Sequence, residues 1–447
     1  MPPPAVLPVQ EIWDAIIGNL CDNEGTLRAI SLVCRSFVSP AQRNLFYELA
    51  LEDRNRSSGI LPDSLLNKTG ATETMLATRL VTLLGSCPHL LPYIQSLRVH
   101  SQELECFNLL ATIPWQRLEH LRISFDPKEG NASERSGYIQ GMAGLVKIPS
   151  LLSITVASFG SRSQNQWMVA ELRFFLSSCS KNIKQLELYS CCSAAPEAPL
   201  ALLPASALRP RLHDLTLKHS PSMLNILSDA FDFTQLHTFR YSKSWTPDLD
   251  VFLRRYGSTV ERLFVTNKSY GTEQPVKDET LNNIDIGLYF PSLKELHVDS
   301  LRPSDVSPHS DLHAMISRIP PNNTINTLRF RTALSAGDAL SGPRSSTDNI
   351  QLPHLTSLEA VILQTMPNLS CVEVQVDFFW PALPIDPSTG MFTIFGERKK
   401  PTEAAIVREV FPILWEKNLV SMSRSRNMGN QLGSFFGAFE DGGAPIW

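Results

Sequence analysis

The chain has 447 residues, 43% of them hydrophobic, which is far more than one small domain needs, so several units or one long repeat array are expected. Its 40 basic and 44 acidic residues give a formal charge of -4, which excludes a surface built generally for phosphate backbones or anionic lipid. Neither nucleic acid nor a membrane is an expected partner.

The opening Met1-Pro-Pro-Pro-Ala-Val carries no basic segment followed by an apolar core and a cleavage site. No later apolar run reaches the roughly 18 residues that span a bilayer. The expectation is a soluble intracellular chain, cytoplasmic, nuclear or both. Eight cysteines include the neighbours Cys191 and Cys192 but no CxxC pair, while Cys34 and Cys371 sit in apolar patterns. They read as reduced packing thiols, with no disulfide, metal or other cofactor implied.

Residues 1–50 form the first segment. Ile12, Ile16, Ile17 and Leu20 recur at helical spacing after Pro8, a residue tolerated in a first turn. A break at Cys21-Asp-Asn-Glu-Gly25 leads to Leu27, Ile30, Cys34 and Phe37, which read as one further helical stripe. Ser39, Pro40 and Gln42 then read as the cap, first-turn proline and capping-box partner of a third helix through Leu45 and Phe46. Three short helices bury too little apolar surface to stand alone, so they complete their burial against the rest of the chain or against another protein.

Leu7-Pro8, then EIWDAIIGNL, a polar gap and TLRAISLVCRSF together resemble the F-box, over roughly Leu7 to Leu49. That resemblance implies docking on a Skp-type adaptor of a cullin-RING ubiquitin ligase. It also implies the contact residues Leu7, Pro8, Ile12, Ile16, Leu20, Leu27, Ile30, Val33 and Phe37, with Cys34 packing internally. F-boxes commonly carry a tryptophan shortly after Val-Cys-Arg, and here Phe37 stands near that point. The competing reading makes the three helices an end cap for the domain that follows.

Residues 51–74 are polar and punctuated by Gly and Pro, as a linker is. A helix is expected from about Met75 to Leu84. From there to residue 420 one pattern returns ten times: an apolar residue, another three positions on, and a third two beyond that.

The triplets are Ile94, Leu97, Val99; Leu118, Leu121, Ile123; Leu151, Ile154, Val156; Ile183, Leu186, Leu188; and Leu212, Leu215, Leu217. They continue as Leu236, Phe239, Tyr241; Val260, Leu263, Val265; Leu293, Leu296, Val298; Ile325, Leu328, Phe330; and Leu369, Val372, Val374. Their middle residues are 24, 33, 32, 29, 24, 24, 33, 32 and 44 positions apart, mostly one strand plus a helix or loop. The template resembles an irregular leucine-rich repeat. The expected fold class is therefore α/β: a three-helix F-box followed, over residues 75–420, by a solenoid with parallel strands on its concave face and helices or loops outside. F-box plus irregular repeats is similar in style to a large fungal group.

The 44-residue step contains LSAGDALSGPRSSTDN, which reads as an inserted loop. Val407, Val410, Phe411 and Leu414 share a helical face, bent at Pro412, that closes the array, and residues 421–447 form a flexible tail.

No nucleotide-binding, metalloprotease or serine-hydrolase motif occurs. His213 beside Asp214 and His297 near Asp299 fall on repeat strands, where polar neighbours belong to a solvated face rather than to catalysis. Residues flanking the inward pairs project from the concave side and are the expected target-binding set: Arg98, His100, Arg122, Arg240, Arg262, Phe264, His297, Arg329 and Arg331. Glu187, Asp214, Asp299 and Glu373 lie among them. The expected role is a non-catalytic substrate-recognition subunit of a ubiquitin ligase, or else a binding scaffold with no such link.

Overall fold

Each apolar triplet becomes one strand and its preceding turn in the computed structural model of the chain. The structure describes residues 9–20, 23–51, 73–101, 104–125, 132–158, 169–189, 191, 209–218, 223–242, 246–266, 284–301, 311–335, 356–379, 412–417 and 419–422. Most of the expected linker and the whole 421–447 tail apart from Ser421 and Met422 lie outside these residues, as do Val407, Val410 and Phe411.

Two compact units are present among them. One holds the residues up to Leu212 together with Asn225–Asp232, and the second holds His213–Leu224 and the residues from Phe233 onward.

The first unit contains β1 (Glu48–Leu51), β2 (Ser96–Ser101), β3 (His120–Phe125), β4 (Ser153–Ser158) and β5 (Gln185–Tyr189), each parallel to the next. Register is strict. Leu49, Leu97, Leu121, Ile154 and Leu186 stand in one row across the sheet, and Leu51, Val99, Ile123, Val156 and Leu188 in another. Ile94, Leu118, Leu151 and Ile183, in the turns before β2–β5, are buried behind these rows. Each such side chain contributes roughly 1.5–3 kcal/mol when fully removed from water.

The second unit repeats the arrangement with β6 (Asp214–Lys218), β7 (Thr238–Ser242), β8 (Arg262–Thr266), β9 (Glu295–Leu301), β10 (Thr327–Ser335), β11 (Cys371–Phe379) and β12 (Val420–Met422), again parallel and in chain order. Leu215, Phe239, Leu263, Leu296, Leu328 and Val372 form its central buried row. The ten triplets thus map onto β2 to β11. The short strands β1 and β12 carry no complete triplet and lie outside that expectation. Leu334 and Ser335, read as the start of the inserted loop, end β10 instead.

A second device fixes the register. At each step from β1 to β5, and again from β6 to β11, one carbonyl just before a strand accepts the two successive amides that open the next: Gln95 and Ser96 donate to Tyr47, and Glu119 and His120 donate to Gln95. The same pairing runs from Leu152 and Ser153 to Glu119 and, in the second unit, from Glu261 and Arg262 to His237. A carbonyl has two lone pairs, and here both are used.

Helices line the connections. The Ala132–Val146 helix approaches the Leu104–Ala111 helix closely at glycines, where a methyl group on Gly141 would stand 3.0 Å from the Phe107 Cβ and one on Gly144 the same distance from the Ala111 Cβ. Larger side chains there would push the helices apart.

The N-terminal block holds α1 (Val9–Gly18), α2 (Glu24–Ser31) and α3 (Arg35–Leu45). The expected second helix running to Phe37 is interrupted. Asn23 caps α2 by accepting from the Thr26 amide at 3.0 Å, but α2 stops at Ser31, and extended Cys34 opens α3 five residues before the expected Ser39 cap. Pro40 therefore lies inside α3, where it withholds the amide that would bond the Ser36 carbonyl. Gln10 on α1 donates to that carbonyl at 3.2 Å, which is why an interior proline is tolerated. The capping-box reading failed because the proline's lost bond is replaced from another helix.

At the chain-terminal side, Glu359 in the Thr356–Thr365 helix is fully buried and accepts from the Leu414 amide at 2.5 Å. Its second oxygen has no hydrogen-bond partner among the described residues. Burial raises its pKa above the ordinary 4.5, against the lowering pull of the Leu414 and Ile413 amides. The folded chain consequently holds this proton more tightly than the unfolded one, and stability falls as pH rises from 4.5 through the folded pKa.

Two outcomes follow for denaturant titrations. Glu359→Gln, which keeps the acceptor and removes the ionisation, flattens the fall in stability above pH 4.5. Ile154→Ala, in the middle of the first unit's buried row, costs about 2–5 kcal/mol of unfolding free energy.

Candidate functional site

Two surfaces hold the sequence-expected contact residues. The first is the outside of the three-helix block. Ile17, Leu27 and Ala41 form its core, with Leu20, Ile30, Phe37 and Leu45 packed against them. Leu27 is 1% exposed and supports the block from within, so its expected role as a contact residue is corrected to a core role.

Ile12 and Ile16, one turn apart on α1, remain 45% and 44% exposed, and Leu32 and Val33 in the turn between α2 and α3 are 87% and 69% exposed. Trp13, also exposed, packs on Phe37 with ring centroids 4.9 Å apart. Leu7 and Pro8 lie outside the described residues. Trp13, on α1 beside Ile12, and Leu32, in the turn beside Val33, were missing from the expected set, although both adjoin its members in the chain.

Cys34 was expected to pack internally and is exposed. The break before α3 turns it outward, and its thiol lies 3.0 Å from the Ser36 hydroxyl. That hydrogen bond holds the thiol pKa below its ordinary value.

The second surface is the sheet face opposite the buried rows, and each unit has its own. In the first unit Arg98 pairs with Glu48 across β1 and β2. Register continues from Arg98 through Arg122 and Thr155 to Glu187. Glu187 is a polar hub, accepting from the Thr155 hydroxyl at 3.2 Å, the Tyr189 hydroxyl at 3.1 Å and the Gln185 amide at 3.2 Å. His100 and Arg122 are half-buried on the same strands.

In the second unit one row reads Thr216, Arg240, Phe264, His297, Arg329 and Glu373 from β6 to β11. Arg240, Phe264 and His297 form a stack. The Arg240 guanidinium lies 4.0 Å over the Phe264 ring, whose other neighbour is the His297 ring, 3.9 Å away between centroids. Arg329 meets Glu373 at 2.8 Å, and Arg262, one row down, lies 3.8 Å from Asp214. Arg331 and Asp299 keep backbone places in β10 and β9, with side chains outside the described residues.

His297 departs from the solvated histidine expected there: its side chain is 10% exposed. Burial is the main cause of a pKa lowered to about 3, and the charges of Arg329, Arg240 and Arg262 push in the same direction. The neutral ring donates through Nε2 to the Glu295 carboxylate at 3.3 Å, since a carboxylate can only accept. His213 has no carboxylate partner of this kind among the described residues; its Nε2 is 3.3 Å from the Gln235 side-chain oxygen, and its ring packs edge-on against His237.

No protein-family model matches the chain, and no curated protein matches it. Among solved structures, a crystal structure of a Bacteroides fragilis protein, determined as a structural-genomics target, resembles it at 9% identity over 69% of this chain and 78% of that chain, with a TM-score of 0.30. That score carries no argument about function. Among the described residues no helix is long and apolar enough to cross a membrane, and no group of three His, Cys, Asp or Glu side chains is placed to hold a metal ion.

Because the folded pKa of His297 lies below the unfolded 6.5, stability present above that pH drains away as pH falls toward about 3. In a proton NMR titration the His297 ring resonances stay flat from about pH 8 to about pH 5, where an unperturbed histidine moves through its midpoint.

Proposed function

We propose that the chain is the substrate-recognition subunit of a cullin-RING ubiquitin ligase, with residues 1–50 acting as an F-box on a Skp-type adaptor and the leucine-rich repeats holding a target protein. The carrying observation is the exposure of Ile12, Ile16, Leu32 and Val33 on a block whose own core is complete without them. Exposed apolar side chains on a small helical block are suited to a partner that covers them. The resemblance of this segment to the F-box names that partner.

In this reading the chain catalyses nothing and needs no cofactor. It tethers a target near the ubiquitin-transfer machinery and raises its effective concentration there. Parallel repeats supply the tether's other end, because every strand places its alternate side chains on one continuous face within each unit. The complex would work inside the cell, in the cytoplasm or the nucleus.

The test is co-purification with a Skp-type adaptor co-expressed from the same cells. The unaltered chain retains the adaptor, and Ile16→Asp combined with Val33→Asp loses it while thermal unfolding of the chain stays unchanged. Absence of the adaptor from both samples would replace this reading with that of a binding scaffold unconnected to ubiquitin transfer.

A further inference from the structure

Three arginine side chains are described on the open face of the second unit, and they are not equivalent. Arg262 has Asp214 at 3.8 Å and Arg329 has Glu373 at 2.8 Å. Glu295 is turned to the His297 Nε2. Arg240 has neither an ion pair nor a hydrogen bond among the described residues, and its one recorded contact is the Phe264 ring beneath it. The stack fixes the guanidinium plane and leaves its N–H edge without an acceptor.

A guanidinium held flat on an aromatic ring has already lost much of its side-chain freedom, so binding an acceptor costs little further ordering. Phe264 is itself backed by His297, which burial keeps neutral, so a second positive charge does not form beneath the ring when the pH is mildly acid. The cationic partner on offer is a single, planar, two-pronged one. Its match is one carboxylate, which Arg can grip through two parallel hydrogen bonds. A phosphate dianion asks for more uncommitted cations than the described side chains of this face supply, since Arg262 and Arg329 already have carboxylates beside them.

We propose that Arg240, seated on Phe264, is the anchor for an acidic side chain of a peptide segment bound across β7 to β9 on this face. The proposal deepens the target-receptor reading by naming what the target presents. It does not depend on the adaptor, because the measurement below contains none, so failure of the F-box assignment and failure of this one are separable.

The test pans a random-peptide display library on the full-length chain and measures the enriched peptides, synthesised singly, by calorimetry. The expected peptides share an Asp or Glu whose replacement by Asn or Gln weakens binding about tenfold or more. Arg240→Gln brings a loss of the same size, and combining the two changes adds nothing further, as a direct pair requires. Arg240→Lys recovers only part of the affinity, because an ammonium cannot form the two-pronged contact.

Thermal unfolding of each variant confirms that the fold is kept. Enrichment of peptides without an acidic residue would overturn the proposal, as would losses that add in the double change or a library that yields no binder. Tighter binding when the acidic residue is exchanged for phosphoserine would overturn the single-carboxylate match.

Discussion

Within each unit, everything rests on one repeated constraint: a carbonyl at the mouth of a strand accepts two consecutive amides from the next. This pairing allows no slip, because moving the incoming strand by one residue would turn its buried Leu, Ile or Phe outward and its polar residues inward. The apolar rows supply the free energy, and the doubled acceptor supplies the alignment. Each row buries its side chains only because a neighbouring strand presents another at the same height, so the strands stabilise one another as a series rather than singly.

The same alignment builds the open faces. Arg240, Phe264 and His297 are 24 and 33 residues apart in the chain and become neighbours only because β7, β8 and β9 pair without offset at those positions. The histidine's chemistry is a product of that neighbourhood. Covered by a ring and surrounded by guanidinium groups, it remains neutral where a surface imidazole would charge. The three-helix block is built differently, from a small core of Ile17, Leu27 and Ala41 and a carbonyl satisfied from a second helix.

The parallel strands were legible because their signal is periodic and repeated: ten triplets, ten strands. β1 and β12 were not, since ELAL and VSM are too short to carry an alternation of their own and become strands by pairing with a neighbour that does. The break between α2 and α3 was also hidden. Leu27, Ile30 and Phe37 do gather on one core, but a bend can bring them there as well as a continuous helix can, and spacing alone does not distinguish the two. Polar positions on the open face were identified by alternation. Their individual states were not, because the burial of His297 and the unpaired edge of Arg240 depend on strands far away in sequence.

The intervals between triplet centres run from 24 to 44 residues, yet register across each measured pair of strands is unaffected at those centres. Insertions and deletions thus have a permitted place and a forbidden one. Between triplets they lengthen or shorten a connector and leave the recognition row intact; inside a triplet, a single-codon deletion inverts the pleat of the rest of that strand. Divergent copies of such a gene can therefore differ widely in length while preserving the geometry of the face on which selection for a binding partner acts.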